Sequence, residues 1–287
     1  MKKVSELIEL LELERIEVNL FRGQSTKVGS GRVFGGQVMA QALSAAMRTV
    51  EEDRFVHSLH GYFLLAGDEN VPIVFDVERI RDGGSFTTRR VKAIQHGRAI
   101  FHMSASFQLD QAGFTHQIKM PDVAKPADLP TWEGVIKQFG DQLPENVIRF
   151  LNVQRPIEFR PVEFINPLGK ELHEPKRHVW MRAKGEMSDN RQMHQLVLSY
   201  TTDYNLLTTA LLPHGMVTDY TSLALASLDH ALWFHRPFKM NEWLLYALDS
   251  PSASGGRGFT RGNIFTESGE LVASVVQEGL MRPKRKK

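Results

Sequence analysis

Apolar and polar residues alternate in a segment near the end of each half of the chain. Between residues 99 and 107 every second residue is apolar and most of the others are polar, a pattern that predicts a strand with one buried face. The residues of the apolar face are Ala99, Phe101, Met103, Ala105 and Phe107. Gly97 and Gly269 lie at the start of the two alternating segments, where they predict the turns of β-hairpins.

Helical spacing of apolar residues precedes the strands in each half. Residues 35–50 and 190–207 have this spacing, and the second segment carries one apolar stripe along the predicted helix. The residues of that stripe are Met193, Leu196, Val197, Tyr200, Tyr204 and Leu207. A further amphipathic helix is predicted from Val4 to Val18. One long helix followed by several antiparallel strands, found twice, predicts an α+β fold in which each sheet wraps around its helix.

The two halves also resemble each other in sequence. Residues 83–108 align without a gap with residues 255–280. The main identical pairs are Gly83 and Gly255, Gly84 and Gly256, Thr88 and Thr260, Arg89 and Arg261, and Gly97 and Gly269. Because Arg89 and Arg261 recur in both halves, we expect both to serve a shared structural pairing.

This internal repeat predicts the domain organisation. Residues 1–115 and 156–287 are expected to form two copies of one unit. Residues 116–155 contain several prolines and lack sustained periodicity, so they are interpreted as a connector.

Composition narrows the class of protein. The chain has 287 residues, no cysteine and a formal net charge of +2, so disulfides, thiolate metal ligands and a cysteine nucleophile are excluded. No uncharged apolar run reaches the length of a membrane span, and glutamates near the N-terminus argue against a secretory signal. The basic tail at residues 282–287 is interpreted as a solvated terminus and not as a nucleic-acid site. These features predict a cytoplasmic globular protein.

Several common catalytic motifs are missing from the sequence. It contains no G-x-S-x-G nucleophile elbow, no G-x-G-x-x-G dinucleotide fingerprint and no Walker A string. His230 and His235 are five positions apart on a predicted strand, so they fall on opposite faces and are interpreted as ordinary strand histidines. The sequence therefore implies no metal site and no cofactor.

One polar residue stands on a face that is otherwise apolar. Gln277 aligns with Ala105 and shares the parity of Leu271, Ala273 and Val275. Burying an unpaired amide costs about 1–3 kcal/mol, so Gln277 needs either partners or a function. A structural hydrogen bond to neighbouring backbone is the alternative explanation.

Two further polar residues accompany it in the second half. Asp203 lies in the helical stretch beside the apolar stripe, whereas the first helix has no carboxylate. A local cap or a solvent-facing turn would explain Asp203 equally well. Ser227 opens the predicted strand SLDHALWF, which the repeat assigns to the same sheet as Gln277. Together a carboxylate, a hydroxyl and an amide form a set that can hold and activate one water molecule.

Five strings of the sequence resemble the acyl-CoA thioesterase II family, and the resemblance runs over nearly the whole chain. They are FRGQS at Phe21, VFGGQV at Val33, RPVEFINPL at Arg160, DHALWFHRP at Asp229 and VVQEGLMR at Val275. The resemblance implies a double hotdog fold, with two fused units that each wrap a sheet around a central helix. It also implies hydrolysis of medium- to long-chain acyl-CoA to free fatty acid and CoA, a reaction of fatty acid metabolism.

The resemblance further implies a site. In that family an Asp, a Thr and a Gln hold the nucleophilic water, and the matching positions here are Asp203, Ser227 and Gln277. Ser227 keeps the hydroxyl of Thr but lacks the γ-methyl group that stiffens it. A homodimer or homotetramer is implied as well. The chain ends in Arg-Lys-Lys and not in a peroxisomal Ser-Lys-Leu type signal, which favours the cytoplasm.

We expect Asp203 to accept a proton as the water attacks the thioester, while the amides of Gly35 and Gly36 polarise the carbonyl oxygen. Since Asp203 and Gln277 occur in the second copy, one active site per chain is predicted. Two other functions stay open. One is a non-catalytic acyl-CoA-binding protein. The other is an enoyl-CoA hydratase, whose chemistry uses an Asp and a His a few residues apart, although no His follows Asp203 closely.

Overall fold

The computed structural model describes residues 1–27, 31–131, 134, 153–163, 165, 171–215 and 222–284. The helices within them are α1 (Val4–Leu11), α2 (Gly35–Met47), α3 (Arg191–Thr202) and α4 (Leu206–Thr209), with 3₁₀ turns at Pro126–Asp128 and Leu212–His214. The strands are β1 (Glu14–Glu17), β2 (Leu20–Gly23), β3 (Arg54–Phe63), β4 (Ile73–Asp82), β5 (Phe86–Gln95), β6 (Arg98–Leu109), β7 (Ile157–Pro161), β8 (Lys176–Ala183), β9 (Leu223–Ser227), β10 (Asp229–Phe234), β11 (Leu244–Ser254), β12 (Arg257–Thr266) and β13 (Leu271–Pro283). Much of the predicted connector and the end of the basic tail lie outside the described residues.

All of these strands belong to one antiparallel sheet. Its order is β1-β2-β4-β5-β6-β3-β10-β13-β12-β11-β8-β7, and β9 pairs with the outer part of β13. The order is the same on both sides of the β3–β10 junction: β3, β6, β5, β4, β2 in the first half and β10, β13, β12, β11, β8 in the second. At the junction His60 lies opposite Ala231. The internal repeat has therefore become two matching half-sheets joined edge to edge.

The helices α2 and α3 pack against each other, and α2 also packs on the first half-sheet. Nearly every residue of α2 is buried, because small and apolar residues occupy all sides of it. Its polar residues Gln41 and Ser44 donate to the carbonyl oxygens of Leu10 and Leu11 at 2.9 and 2.8 Å. These bonds satisfy carbonyl groups that the end of α1 leaves unpaired. The fold is the predicted α+β arrangement of central helices and a wrapping antiparallel sheet.

The described part of the connector lies on the second half-sheet. The indole nitrogen of Trp180 donates to the carbonyl oxygen of Ala124 at 2.9 Å, and Gln117 donates to that of Gly269 at 2.8 Å. Met120, Val123 and Leu129 pack on a small apolar cluster that contains Trp180. The segment therefore covers an apolar patch of the sheet. The domain boundaries at residues 115 and 156 stay predictions.

The first helix is shorter than the sequence pattern predicted. The helix α1 ends at Leu11 and not at Val18, because Glu12 is extended and residues 14–17 form β1. This strand pairs with β2, with Glu14 opposite Arg22. The pairing of β1 with β2 therefore decides the structure of residues 14–17, although the spacing of apolar residues from Val4 to Val18 is typical of a helix.

The gapless alignment of the two halves fails in one strand. Arg89 and Arg261 each pair with an aspartate, as expected, but they do so in different surroundings. Arg89 lies opposite Ala105, whereas the residue opposite Gln277 is Thr260. The β5–β6 hairpin closes through His96 and Gly97, while the β12–β13 connection is longer, so the register shifts by one residue. Arg89 is consequently buried in the core, and Arg261 faces solvent beside Asp249.

The two arginines should differ in their effect on stability. Arg89 donates to the hydroxyl and the carbonyl oxygen of Thr49 at 2.9 and 2.8 Å, and it pairs with Asp82. We expect Arg89→Ala to lower the free energy of unfolding by about 2–4 kcal/mol, because buried acceptors lose their donor and a cavity forms. The exposed pair of Arg261 should contribute less than about 1 kcal/mol. Urea unfolding of Arg89→Ala and Arg261→Ala measures both contributions. Equal losses in the free energy of unfolding would contradict the buried role assigned to Arg89.

Candidate active site

Asp203 lies where the two halves of the protein meet. It is the C-cap residue of α3, one residue beyond Thr202, and its carboxylate points to the first turn of α2. The Gly36 N–H donates to Asp203 Oδ2 at 2.9 Å. A negative charge is unfavourable at the end of its own helix, but the positive end of the α2 dipole compensates for this. The end of α3 and the start of α2 therefore hold the carboxylate between them.

The close approach depends on two glycines. A Cβ atom on Gly35 would lie 2.8 Å from Asp203 Oδ2, and one on Gly36 would collide with the carbonyl oxygen of Tyr200. The start of α2 can therefore reach Asp203 because these positions have no side chain. The predicted contact of the Gly36 amide with the thioester oxygen is wrong, because this amide donates to Asp203 instead.

Gln277 reaches Asp203 from the sheet. It lies on the core face of β13, as the alternation predicts, and is 1% exposed. Its amide nitrogen lies 2.9 Å from Asp203 Oδ1 and 3.1 Å from the hydroxyl oxygen of Ser227. Its carbonyl oxygen Oε1 is buried and receives no hydrogen bond from the described residues. An amide has thus been placed in the core with its nitrogen directed at a carboxylate.

Ser227 contacts the same carboxylate across a break in the sheet. The predicted continuous strand SLDHALWF is wrong, because β9 ends at Ser227 and β10 begins at Asp229. At the break the Glu278 N–H donates to Asp229 Oδ1 at 2.7 Å, a side-chain bond in place of a ladder bond. The Ser227 hydroxyl lies 3.4 Å from Asp203 Oδ1, a long contact in which it is the donor. The structure therefore brings all three predicted residues together.

His230 completes the cluster, although the sequence pattern did not point to it as a site residue. Its Nδ1 lies 3.2 Å from the amide nitrogen of Gln277, and its Nε2 lies 3.1 Å from the hydroxyl oxygen of Thr202. On a continuous strand Ser227 and His230 would face opposite sides of the sheet. The break at Leu228 turns both toward Gln277. One signal in the sequence could have found it. His230 alternates with Leu232 and Phe234 along β10, so all three lie on the buried face of this strand.

Comparisons with known proteins decide the family. Residues 149–280 match the acyl-CoA thioesterase family, and residues 24–108 match the acyl-CoA thioesterase N-terminal domain. The chain is 42% identical to acyl-CoA thioesterase 2 of Haemophilus influenzae, over 97% of this chain and 98% of that protein. The chain belongs to the acyl-CoA thioesterase family. It is also 42% identical to acyl-coenzyme A thioesterase 8 of Homo sapiens, over 96% of this chain and 88% of that one.

Solved structures agree with this family and with the double hotdog fold. An acyl-CoA thioesterase II from Mycobacterium marinum is 45% identical and superposes with a TM-score of 0.79, over 96% of this chain and 98% of that one. A hotdog-fold protein from Alicyclobacillus acidocaldarius is 19% identical and superposes with a TM-score of 0.75, over 98% of this chain and 99% of that one. The second likeness shows the fold alone. Within the described part of this thioesterase no helix is long and apolar enough to cross a membrane.

The corresponding corner of the first half is built differently. Ala105 occupies the position of Gln277, and Arg89 occupies that of Thr260. The guanidinium of Arg89 donates to the carbonyl oxygen of Thr49, just beyond the end of α2. A cation at the end of a helix is electrostatically favourable. In this half of the thioesterase an arginine therefore fills the place where the other half presents a carboxylate.

The electrostatics of the cluster single out Asp203. Burial raises the pKa of Asp203, an effect that the hydrogen bonds from Gln277, Gly36 and Ser227 partly offset. Burial lowers the pKa of His230 to about 3, so its imidazole is neutral near neutral pH. Burial also raises the pKa of Tyr200, which stays a neutral phenol. The negative charge of the cluster therefore resides on Asp203.

The raised pKa of Asp203 predicts a pH-dependent gain in stability for Asp203→Asn. Below the ordinary pKa of 3.8 the side chain is protonated in both the folded and the unfolded chain, and the penalty for a buried charge is absent. As the pH rises through the folded pKa the penalty grows to its full size. We expect the midpoint temperature of Asp203→Asn to exceed that of wild type at about pH 7, and the difference to shrink toward about pH 4.

Thermal unfolding across this pH range measures the effect. The exposed Asp122 supplies a matched control, since Asp122→Asn removes a carboxylate that solvent surrounds. A difference for Asp203→Asn that shrinks as the pH rises would indicate a lowered pKa and contradict the prediction.

Proposed function

We propose that this protein hydrolyses acyl-CoA thioesters to free fatty acid and CoA, with water as the nucleophile and Asp203 as the general base. The observation that carries the proposal is the convergence of Asp203, Ser227 and Gln277 in a chain 42% identical to an acyl-CoA thioesterase. A thioester carbonyl is electrophilic and a thiolate is a good leaving group. An oriented water and a proton acceptor are therefore the main requirements for hydrolysis.

The hydrogen bonds of Asp203 assign different roles to its two oxygens. Oδ1 accepts from Gln277 at 2.9 Å and from Ser227 at 3.4 Å, which uses both of its lone pairs. Oδ2 accepts from Gly36 at 2.9 Å and keeps a second lone pair. We infer that this lone pair binds the water and takes its proton as the water oxygen bonds to the thioester carbon. The carbon–sulfur bond then breaks, its electron pair leaves with sulfur, and the proton on Asp203 passes to the CoA thiolate.

Gln277 has a second use in this mechanism. Its Oε1 is a buried acceptor without a donor among the described residues. Leaving such a group unpaired costs about 1–3 kcal/mol. A hydrogen bond from the attacking water to Oε1 removes that cost and fixes the second proton of the water. Gln277 would thus orient the water while its nitrogen orients the base.

We also propose one active site per chain. The counterpart of Gln277 is Ala105, and the guanidinium of Arg89 lies against the end of α2. A buried cation with its donors already bonded offers no proton acceptor. Medium- to long-chain acyl groups and a homodimer or homotetramer remain predictions from the family resemblance, and a cytoplasmic location remains a prediction from the sequence.

Release of free CoA thiol from acyl-CoAs of increasing chain length tests the proposal. We expect wild type to hydrolyse medium or long chains and Asp203→Asn to lose at least about 100-fold in kcat, because general bases contribute about 10²–10⁴-fold. Asp122→Asn should retain wild-type activity, since Asp122 is exposed and belongs to the connector. A wild-type protein that binds acyl-CoA but releases no thiol would leave the non-catalytic binding protein as the better explanation.

The pH dependence of kcat/KM supplies a second test. Asp203 must be ionised to act as a base, so activity should rise with pH through its pKa, which lies above the ordinary value of 3.8. Gln277→Leu removes an N–H donor from the carboxylate and should raise that pKa further. We therefore expect the acidic limb of the profile to move to higher pH in this variant. A limb that stays in place or moves to lower pH would contradict the role of Asp203.

A further inference from the structure

We propose that His230 is a positioning residue that holds the side-chain amide of Gln277 in the orientation that presents an N–H to Asp203. The unprotonated Nδ1 of His230 accepts from the Gln277 nitrogen at 3.2 Å. Both ring nitrogens of His230 already have partners, Nδ1 with Gln277 and Nε2 with Thr202, so it acts through Gln277 and not on a substrate directly. This inference rests on the function proposed above, and it extends the site to a residue beyond Asp203, Ser227 and Gln277.

The neighbouring hydroxyl fixes which ring nitrogen carries the proton. The hydroxyl oxygen of Thr202 lies 3.0 Å from the carbonyl oxygen of Ser199 and 3.1 Å from His230 Nε2. A carbonyl oxygen can only accept, so the single proton of the hydroxyl is donated to Ser199. The hydroxyl must then accept from His230, and Nε2 carries the proton. A neutral imidazole has one such proton, which leaves Nδ1 as an acceptor.

The surroundings of His230 keep the ring neutral and in place. Burial strongly disfavours the imidazolium form. Thr202 is itself fixed, because the hydroxyl of Tyr246 donates to its carbonyl oxygen at 3.0 Å. Tyr246 and Thr202 are both fully buried. The acceptor that His230 offers to Gln277 is therefore held by a layer of packed side chains.

An acceptor at this point decides between the two orientations of the Gln277 amide. With the nitrogen toward His230, one N–H meets Nδ1 and the other meets Asp203 Oδ1. With the amide flipped, Oε1 would face two atoms that only accept, the carboxylate oxygen and Nδ1. The flipped orientation therefore loses both of these hydrogen bonds and gains repulsion. Oε1 could then accept from the nearby Ser227 hydroxyl only by taking that donor away from Asp203 Oδ1. Without His230 one of these two restraints disappears.

The two halves of the protein support the pairing of these residues. In the first half Leu59 lies opposite Ala105. In the second half Ala231 lies opposite Val276, and continuing that register places His230 beside Gln277. Gln277 and His230 occur together in the second half, whereas the first half has the apolar residues Ala105 and Leu59 at the matching positions. This co-occurrence is expected if the function of His230 is to serve Gln277.

Three substitutions of His230 separate positioning from packing. Asn carries its amide oxygen at about the distance of Nδ1 from the main chain, whereas Gln carries its amide at the distance of Nε2. We expect His230→Leu and His230→Gln to lose kcat by about 10- to 100-fold, the cost of a small misplacement of a positioned group. KM should change by less than about twofold, and His230→Asn should stay within about threefold of wild type in kcat.

A double variant that carries both His230→Leu and Gln277→Leu tests whether the two residues act together, whatever the size of each single effect. If His230 acts through Gln277, His230→Leu should cause little further loss of kcat in the Gln277→Leu background. Losses that multiply would overturn the proposal. So would rescue by Gln and not by Asn, which would identify the Thr202 contact as the important one, or a His230→Leu variant as active as wild type.

The thermal midpoint of each variant shows whether it is folded. If His230→Leu is unstable, the difference in kcat between His230→Asn and His230→Gln still tests the proposal. The proposed function is tested separately, because thiol release by wild type and its loss in Asp203→Asn do not involve residue 230. Failure of those two results would reject the hydrolase mechanism. Failure of the His230 series alone would reject only the positioning role.

Discussion

The hydrogen bond between the Gly36 amide and the Asp203 carboxylate is the contact on which the site depends. It joins the first turn of a helix in one half of the protein to the last residue of a helix in the other half. Both glycines at the start of α2 are needed for this approach, since a side chain at either position would collide with its surroundings. The β3–β10 junction fixes the two half-sheets relative to each other and so keeps the helix ends in register.

Asp203 occupies a position that is poor for stability. A carboxylate at the C-terminus of its own helix is opposed by the helix dipole, and burial adds a desolvation cost. Three donors compensate in part: the amide of Gly36, the amide of Gln277 and the hydroxyl of Ser227. The result is a carboxylate that is more basic than usual but still held in one orientation. Perturbed carboxylates of this kind concentrate at functional sites.

Part of the site could be predicted from the sequence, whereas the local strand geometry could not, for physical reasons. Gln277 could be found because an amide interrupts an apolar face, and the alternation of a strand is visible in one sequence. Its partners could be proposed, but their geometry depends on the break at Leu228, where a side chain of Asp229 replaces a ladder bond. On a continuous strand Ser227 and His230 fall on opposite faces, so the sequence pattern could not connect His230 with the site. The one-residue register shift that buries Arg89 was hidden as well, since the hairpin turn that follows Arg89 is shorter than the turn that follows Arg261.

The edge-to-edge joining of the two units within one chain also bears on how such a protein can diverge. In a dimer of identical subunits every substitution appears twice, so an arginine that fills one corner would block the other. A single polypeptide removes this symmetry requirement, and here one copy has Arg89 where the other has Thr260. One unit can then accumulate residues that strengthen the scaffold, while its partner retains a costly reactive centre. Covalent fusion makes such a division of labour between two units of the same architecture possible.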